Sequence, residues 1–449
     1  MFFTRDRRFY SDLKRLAIPM AIGNLVTFLI TLTDSVVVGR LGDEATASVF
    51  VGGIIATTLQ MFISGIEGGV TVGISQYWGK GEREPIKRIF SLGTALIFIF
   101  GAALFLTSFF IPDKISSLFG RNTKDAASYL KYLSPSFPIF AISGAIGAAL
   151  RGVESPGIVT FASVIAFSIN LFFDILLTFG KLGFTNMGVL GTATATIIAR
   201  GFELLILIIY LFLKDKRIEA KPRDLIKFDK KISIDFLKYT SPILLGQVIW
   251  IINTLFSSYV FASFKSDPII TGLSVANTLN SLSYIVMNGL SGAVGIIIGK
   301  AVGEGERKKL REYTYTTEII FIILGIITSV TLFAVKNPFV SLYNISAEAV
   351  AVAKGLVTVL AFTIIGTSYQ CACLLGIVRG GGDTSFILKN DAFFIFLFVI
   401  PLTVLALNLN APLWLVFLAL KCDQILKCIP AAIKINRFKW VRDLTVKEE

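Results

Sequence analysis

The chain contains no histidine. That excludes imidazole acid–base chemistry, histidine metal sites and histidine proton relays, so any proton traffic must run through carboxylates. Cysteine is scarce. The four present, Cys371, Cys373, Cys422 and Cys428, lie in apolar stretches without Cys-x-x-Cys or zinc spacing, and read as small core residues. Charged residues make up only 16% of the 449, too few to cover a soluble protein of this length. No phosphate loop of the Gly-Lys-Ser type is present, and no Gly-x-Ser-x-Gly nucleophile elbow. Gly380-Gly381-Gly382 follows no strand and reads as a tight turn. These absences argue against an enzyme, against a bound organic cofactor and against an ATP-driven machine.

What is abundant is apolar sequence: 54% of residues are hydrophobic, and the mean hydropathy is +0.75. Runs of about 20–28 apolar residues are long enough to cross a bilayer as helices. Twelve such spans are expected, near 13–38, 48–77, 88–111, 127–150, 157–180, 187–213, 234–262, 270–299, 313–335, 346–376, 384–407 and 411–436. The net charge of +13 suggests nucleic acid only until its placement is considered. Roughly 31 of the 43 Lys and Arg fall on one side of the expected membrane and about nine on the other. That asymmetry is the positive-inside signal, so no nucleic-acid partner is expected. It predicts a multi-pass protein of the cell (inner) membrane with both termini cytoplasmic. The charged N-terminus leads straight into a long helix and does not read as a cleavable signal.

The chain also says nearly the same thing twice. Pro19, Gly23, Asn24 and Thr31 recur as Pro242, Gly246, Gln247 and Thr254; Gly79-Lys-Gly81-Glu82-Arg83 recurs as Gly303-Glu-Gly305-Glu306-Arg307; Arg151-Gly152 recurs as Arg379-Gly380. Two matching halves in an apolar chain mark a transporter built from internal repeats. An even number of spans per half gives both halves the same orientation. The expected organisation is an all-α membrane protein of twelve transmembrane helices in two pseudo-symmetric six-helix lobes: residues 1–213, a cytoplasmic linker at 214–233, and residues 234–449. Without an ATPase domain, the energy must come from an ion gradient.

Polar residues inside the spans carry the functional signal, because each is costly in hydrocarbon unless it faces a cavity or a partner. Asn24, Thr27, Thr31 and Asp34 share one face of the first span. From Arg15 to Asp34 is roughly 28 Å at 1.5 Å per residue, which places Asp34 in the outer half of the membrane. Asn170 and Asp174 share a face of the fifth span, with Thr192 and Thr196 on the sixth at matching depth. These oxygen ligands suit Na⁺ or another hard cation, and a paired carboxylate can instead hold a proton. A hydrogen-bonded polar core that fixes helix packing is the alternative. The second half keeps the stripe (Gln247, Thr254, Ser257) without its carboxylate. The eighth span adds Asn277, Asn280, Tyr284 and Asn288, read either as a polar cavity lining or as interhelical glue. Pro19 and Pro242 lie inside their helices and mark bend points, hinges or static kinks. Arg200 with Glu203, and Asp423 with Lys427, have the spacing of intrahelical pairs. Glu67 and Lys421 also lie within spans, and Asp391 stands out as a further candidate carboxylate.

Thr33-Asp34-Ser-Val-Val-Val-Gly39-Arg40-Leu41-Gly42, Gln76-Tyr-Trp-Gly79-x-Gly81, Arg379-Gly380-x-Gly382-Asp383-Thr384 and Lys439-Trp440-Val441 resemble the recurring patterns of the multidrug and toxic compound extrusion (MATE) transporters, over essentially the whole chain. Within that family the chain looks closest to the branch named for DNA-damage-inducible protein F. The resemblance implies a site for Na⁺ or a proton formed by Asp34, Asn170 and Asp174 with Thr192. Another branch uses an acidic residue on span seven, where this chain has only Asp235, at the cytoplasmic start. The function implied is a monomeric antiporter exporting small organic cations or amphipathic drugs through the membrane lipid in exchange for H⁺ or Na⁺. The substrate cavity would be lined by Asn24, Thr27, Thr31, Gln247, Thr254, Asn277, Asn280 and Tyr284. The alternative is a flippase for lipid-linked precursors from the same superfamily.

Overall fold

The computed structural model describes residues 3–118 and 124–445. Every named element is a helix: α1 Arg7–Gly39, α2 Asp43–Lys80, α3 Arg83–Phe110, α4 Pro112–Leu118, α5 Lys124–Leu133, α6 Ser136–Gly152, α7 Pro156–Phe179, α8 Val189–Ile209, α9 Lys230–Ser263, α10 Asp267–Gly303, α11 Arg307–Val340, α12 Ala347–Gln370, α13 Thr384–Phe394, α14 Ile400–Asn408, α15 Leu413–Leu420, α16 Asp423–Leu426 and α17 Cys428–Asn436. Eleven helical stretches among the described residues are long and apolar enough to cross a membrane. Large apolar side chains such as Ile99, Phe110, Leu255, Ile327 and Phe362 stay exposed along them, as a lipid-facing surface requires.

The twelfth expected span, 411–436, is present but is not one helix. It breaks into α15, α16 and α17. Three features accompany the break. The Gln370 side-chain amide donates to the main-chain oxygens of Asp423 (2.8 Å) and Gln424 (2.7 Å). Gly366 of α12 lets the Gln424 carbonyl pack against its backbone. Pro430 has no N–H to return to the preceding turn. The tenth and eleventh spans are also irregular, with π-turns at Cys371–Val378 and Ile395–Val399.

The contacts divide the chain into two compact units, Met1–Ala21 with Ser241–Glu449, and Ile22–Thr240. These contact units begin and end beside Pro19 and Pro242, and both long helices continue through their prolines. The second unit includes the polar connection around 214–231. Arg217 donates to the carbonyls of Val153 and Glu154, and Ser91 donates to Leu225 O (2.7 Å). In the first unit the chain start is tied to α11: Tyr313 donates to Asp6 (2.7 Å), and Thr4 to Glu312 (3.0 Å). The Tyr313 hydroxyl holds the Asp6 carboxyl below its ordinary range.

The internal packing of the units is alike. In one, α2, α3 and α6 pack together and α7 packs on α8; in the other, α10, α11 and α12 pack together and α14 packs on α15. The repeated Gly-x-Gly segments serve the same end. Gly81 and Gly305 each follow the end of a long helix with positive φ (78° and 72°), the conformation a helix C-terminus takes when it turns away. The C-terminal motif is structural: Trp440 is fully buried against Gly381, and Asp383 pairs with Lys434 (2.6 Å) and Arg442 (3.0 Å).

Candidate functional site

The expected coupling residues all lie in the unit Ile22–Thr240. Asp34 sits near the end of α1; Asn170 and Asp174 lie one turn apart on α7; Thr192 opens α8. Close approach of α7 and α8 is built into the sequence. A Cβ at Gly191 would lie 2.6 Å from the backbone of Leu177 and Thr178, so only glycine lets Thr192 reach the α7 face. Asn170, Asp174 and Thr192 are buried (1%, 0% and 1% exposed).

Their hydrogen bonding is incomplete. Thr178 donates to Asp174 Oδ1 (3.1 Å) and lies 3.2 Å from Thr192 Oγ1. Thr192 also hydrogen-bonds the Asp174 carboxylate. By contrast Asp174 Oδ2, both polar atoms of the Asn170 amide and Asp34 Oδ1 are buried with no partner among the described residues. An unpartnered buried polar atom costs on the order of 1–3 kcal/mol. Four of them on two helices is therefore a place where a ligand is expected, and the available oxygens are the donor set for a hard cation or a proton. Asp34 lies within electrostatic reach of Asp174 and Arg200, and buried Tyr129 within reach of both carboxylates.

Thr178 was not anticipated, although the signal was there: it continues the Asn170–Asp174 face by one more turn. Arg200 does pair with Glu203 (2.8 Å), as the spacing predicts, and Glu203 also accepts from Ser163 (2.8 Å). Glu67 pairs with Arg151 (2.9 Å), a partner that the sequence does not reveal.

The expected cavity residues divide. Asn24, Thr27 and Thr31 belong with the coupling residues, while Gln247, Thr254, Asn277, Asn280 and Tyr284 belong to the other unit. Thr27, Thr31 and Thr254 each donate to the carbonyl one turn back, which satisfies the hydroxyl hydrogen and leaves lone pairs outward. Thr31, Thr254 and Asn277 are exposed; Asn24, Thr27, Gln247, Asn280 and Tyr284 are half-buried.

The MatE family matches residues 19–176 and 242–405, two copies that begin at the two helix prolines. The chain is 25% identical over 389 residues to a probable multidrug resistance protein, NorM, of Agrobacterium fabrum, covering 82% of this chain and 80% of that one. It superposes on a solved structure of MATE in the straight conformation with a TM-score of 0.87 (20% identity, 97% of this chain and 99% of that one). It also superposes on MATE in the bent conformation with a TM-score of 0.86, at the same identity and coverage. Those likenesses fix the fold as twelve transmembrane helices in two lobes. With its two matched copies and its span-length helices, the chain belongs to the MatE family of multi-pass membrane transporters.

Proposed function

We propose that the protein is a secondary active multidrug efflux antiporter. It exports cationic or amphipathic organic compounds in exchange for H⁺ or Na⁺, by alternating access of its two lobes. It acts as a monomer in the lipid of the cell (inner) membrane, with both termini cytoplasmic. Asp34, Asn170, Asp174 and Thr192 hold the coupling ion. The single observation that carries this reading is the set of four unpartnered polar atoms buried on α1 and α7. The multidrug resistance name of the Agrobacterium relative supports the substrate class.

Two carboxylates in one low-dielectric pocket repel each other, and a bound cation removes the repulsion. The coupling ion and a cationic substrate therefore compete for the same charge. Binding of the ion draws α7 and the end of α1 together, and Pro19 gives α1 the point at which to bend. Pro242 serves α9 in the same way. A tenfold preference of the ion for one conformation is about 1.4 kcal/mol, within the scale of one buried charge. Asn24, Thr27 and Thr31, on the Asp34 face of α1, receive the substrate; Gln247, Thr254, Asn277, Asn280 and Tyr284 are the candidate lining residues of the other unit. A flippase for lipid-linked precursors would need a strongly cationic cavity for pyrophosphate. The acidic site favours the antiporter.

The test is transport by purified protein in liposomes. An imposed Na⁺ or H⁺ gradient is expected to drive an organic cation uphill. Asp34→Asn is expected to abolish this while the protein stays folded; export by that variant at the wild-type rate overturns the proposal.

A further inference from the structure

The unit that lacks the Asp34 site holds a buried ionic cluster of its own. Lys427, between α16 and α17, is 1% exposed. Its ammonium lies 2.8 Å from Asp391 Oδ1 on α13 and 2.9 Å from Asp423 Oδ2 on α16. The Gln424 amide donates to both Asp423 oxygens (3.3 and 3.2 Å), and Thr367 donates to Gln424 (3.0 Å). Asp423 is thus held on every side. Asp391 has Lys427 as its one ion-pair partner among the described residues, and its side chain keeps 10% exposure, against 1% and 2% for Lys427 and Asp423.

The cluster sits where two spans depart from regular helix. The twelfth is broken on both sides of α16, with Gln370 bonding the carbonyls at the break. The eleventh passes into the Ile395–Val399 π-turn one turn beyond Asp391. Broken helices recur at the ion sites of transporters, and π-turns recur at functional sites. A purely structural role also fits poorly, because an apolar set of similar volume generally holds helices together as well as a buried ion pair does.

We propose that Asp391, Asp423 and Lys427 form a second proton-binding site, in which Asp391 takes the proton and Lys427 is the internal counter-ion that positions it. The contact cluster carries two carboxylates to one ammonium, an excess negative charge that one proton cancels. A proton is favoured over Na⁺ because the ammonium already occupies the position between the carboxylates where a metal ion would sit. Of the other ionisable groups near Asp423, Tyr284 of α10, Cys422 and Cys428 add no charge in their ordinary protonation states. Lys421, over the Phe417 ring at 5.8 Å from its centroid, stands outside the contact cluster but within electrostatic reach of Asp423; its positive charge supports the ionised Asp423 and leaves Asp391 as the carboxylate that takes the proton. Protonation of an Asp391 oxygen from water removes its pairing with Lys427. Lys427 then remains with Asp423 alone, which unties the eleventh span from the twelfth. This proposal does not rest on the Asp34 site.

The experiment is an infrared pH titration of the purified full-length protein, following the protonated-carboxyl stretch. It is made in the Asp34→Asn/Asp174→Asn background so that the other site is silent. An Asp391-dependent component of the titrating band, read as the difference between spectra recorded without and with Asp391→Asn in that background, is expected. If the triple variant does not fold, Asp391→Glu in the same background is expected to move the band's position and midpoint. Absence of an Asp391-dependent titrating component overturns the proposal. So does a band unchanged by Asp391→Asn or Asp391→Glu, or one that Na⁺ removes at constant pH.

Discussion

Replacing Lys427 with methionine removes one charge and little volume, which isolates the electrostatics of the buried cluster. The ammonium sits 2.8 and 2.9 Å from two carboxylates. At an effective dielectric of about 20, each contact amounts to roughly 6 kcal/mol of Coulomb attraction. Most of that is offset by the cost of burying the ions, so breaking such a set by removing one partner costs about 3–5 kcal/mol. Lys427→Met is therefore expected to lose about 3–5 kcal/mol in equilibrium unfolding with SDS in mixed micelles. The neutral triple variant Lys427→Met/Asp391→Asn/Asp423→Asn is expected to recover more than half of the loss, because no unpaired charge is left inside. A single variant that loses under about 1 kcal/mol, or a triple variant no more stable than the single, refutes the reasoning.

Further outcomes follow from the same contacts. Gly191→Ala puts a methyl group 2.6 Å from the α7 backbone, and is expected to cost about 1–3 kcal/mol and to depress transport more than Gly201→Ala, where the added atom meets nothing. Trp440→Ala empties a fully buried indole site whose Nε1 donates to Ile435 O (3.1 Å), and is expected to cost about 3–5 kcal/mol in thermal unfolding. Thr178→Val removes the bond to Asp174 at nearly constant volume; it is expected to change the ion dependence of transport at least about threefold while leaving expression unchanged. An unaltered ion dependence would remove Thr178 from the site.

The span count and the repeat were legible because hydrophobic length and recurring prolines are local properties of sequence. The Arg200–Glu203 and Asp423–Lys427 pairs were legible for the same reason: one helical turn brings their side chains together. The Asp391–Lys427 and Glu67–Arg151 pairs were not, since each joins helices whose packing no spacing reports. The break in the twelfth span depends on Gln370 and Gly366 of another helix, so its apolar run still reads as continuous. The division of the contacts beside Pro19 and Pro242 is not a property of spacing, because it depends on which residues pack together. The polar faces of α1 and α7 were legible as spacing, but not which of their atoms are left without partners.

The central claim is that ion and substrate compete at the Asp34–Asp174 pair. It is tested most directly by titrating bound fluorescent organic cation with Na⁺ and with acid, in wild type and in Asp174→Asn. The account predicts that one of the two ions displaces the compound from wild type, and that loss of the Asp174 carboxylate weakens that displacement at least about tenfold. Equal displacement from both proteins contradicts it.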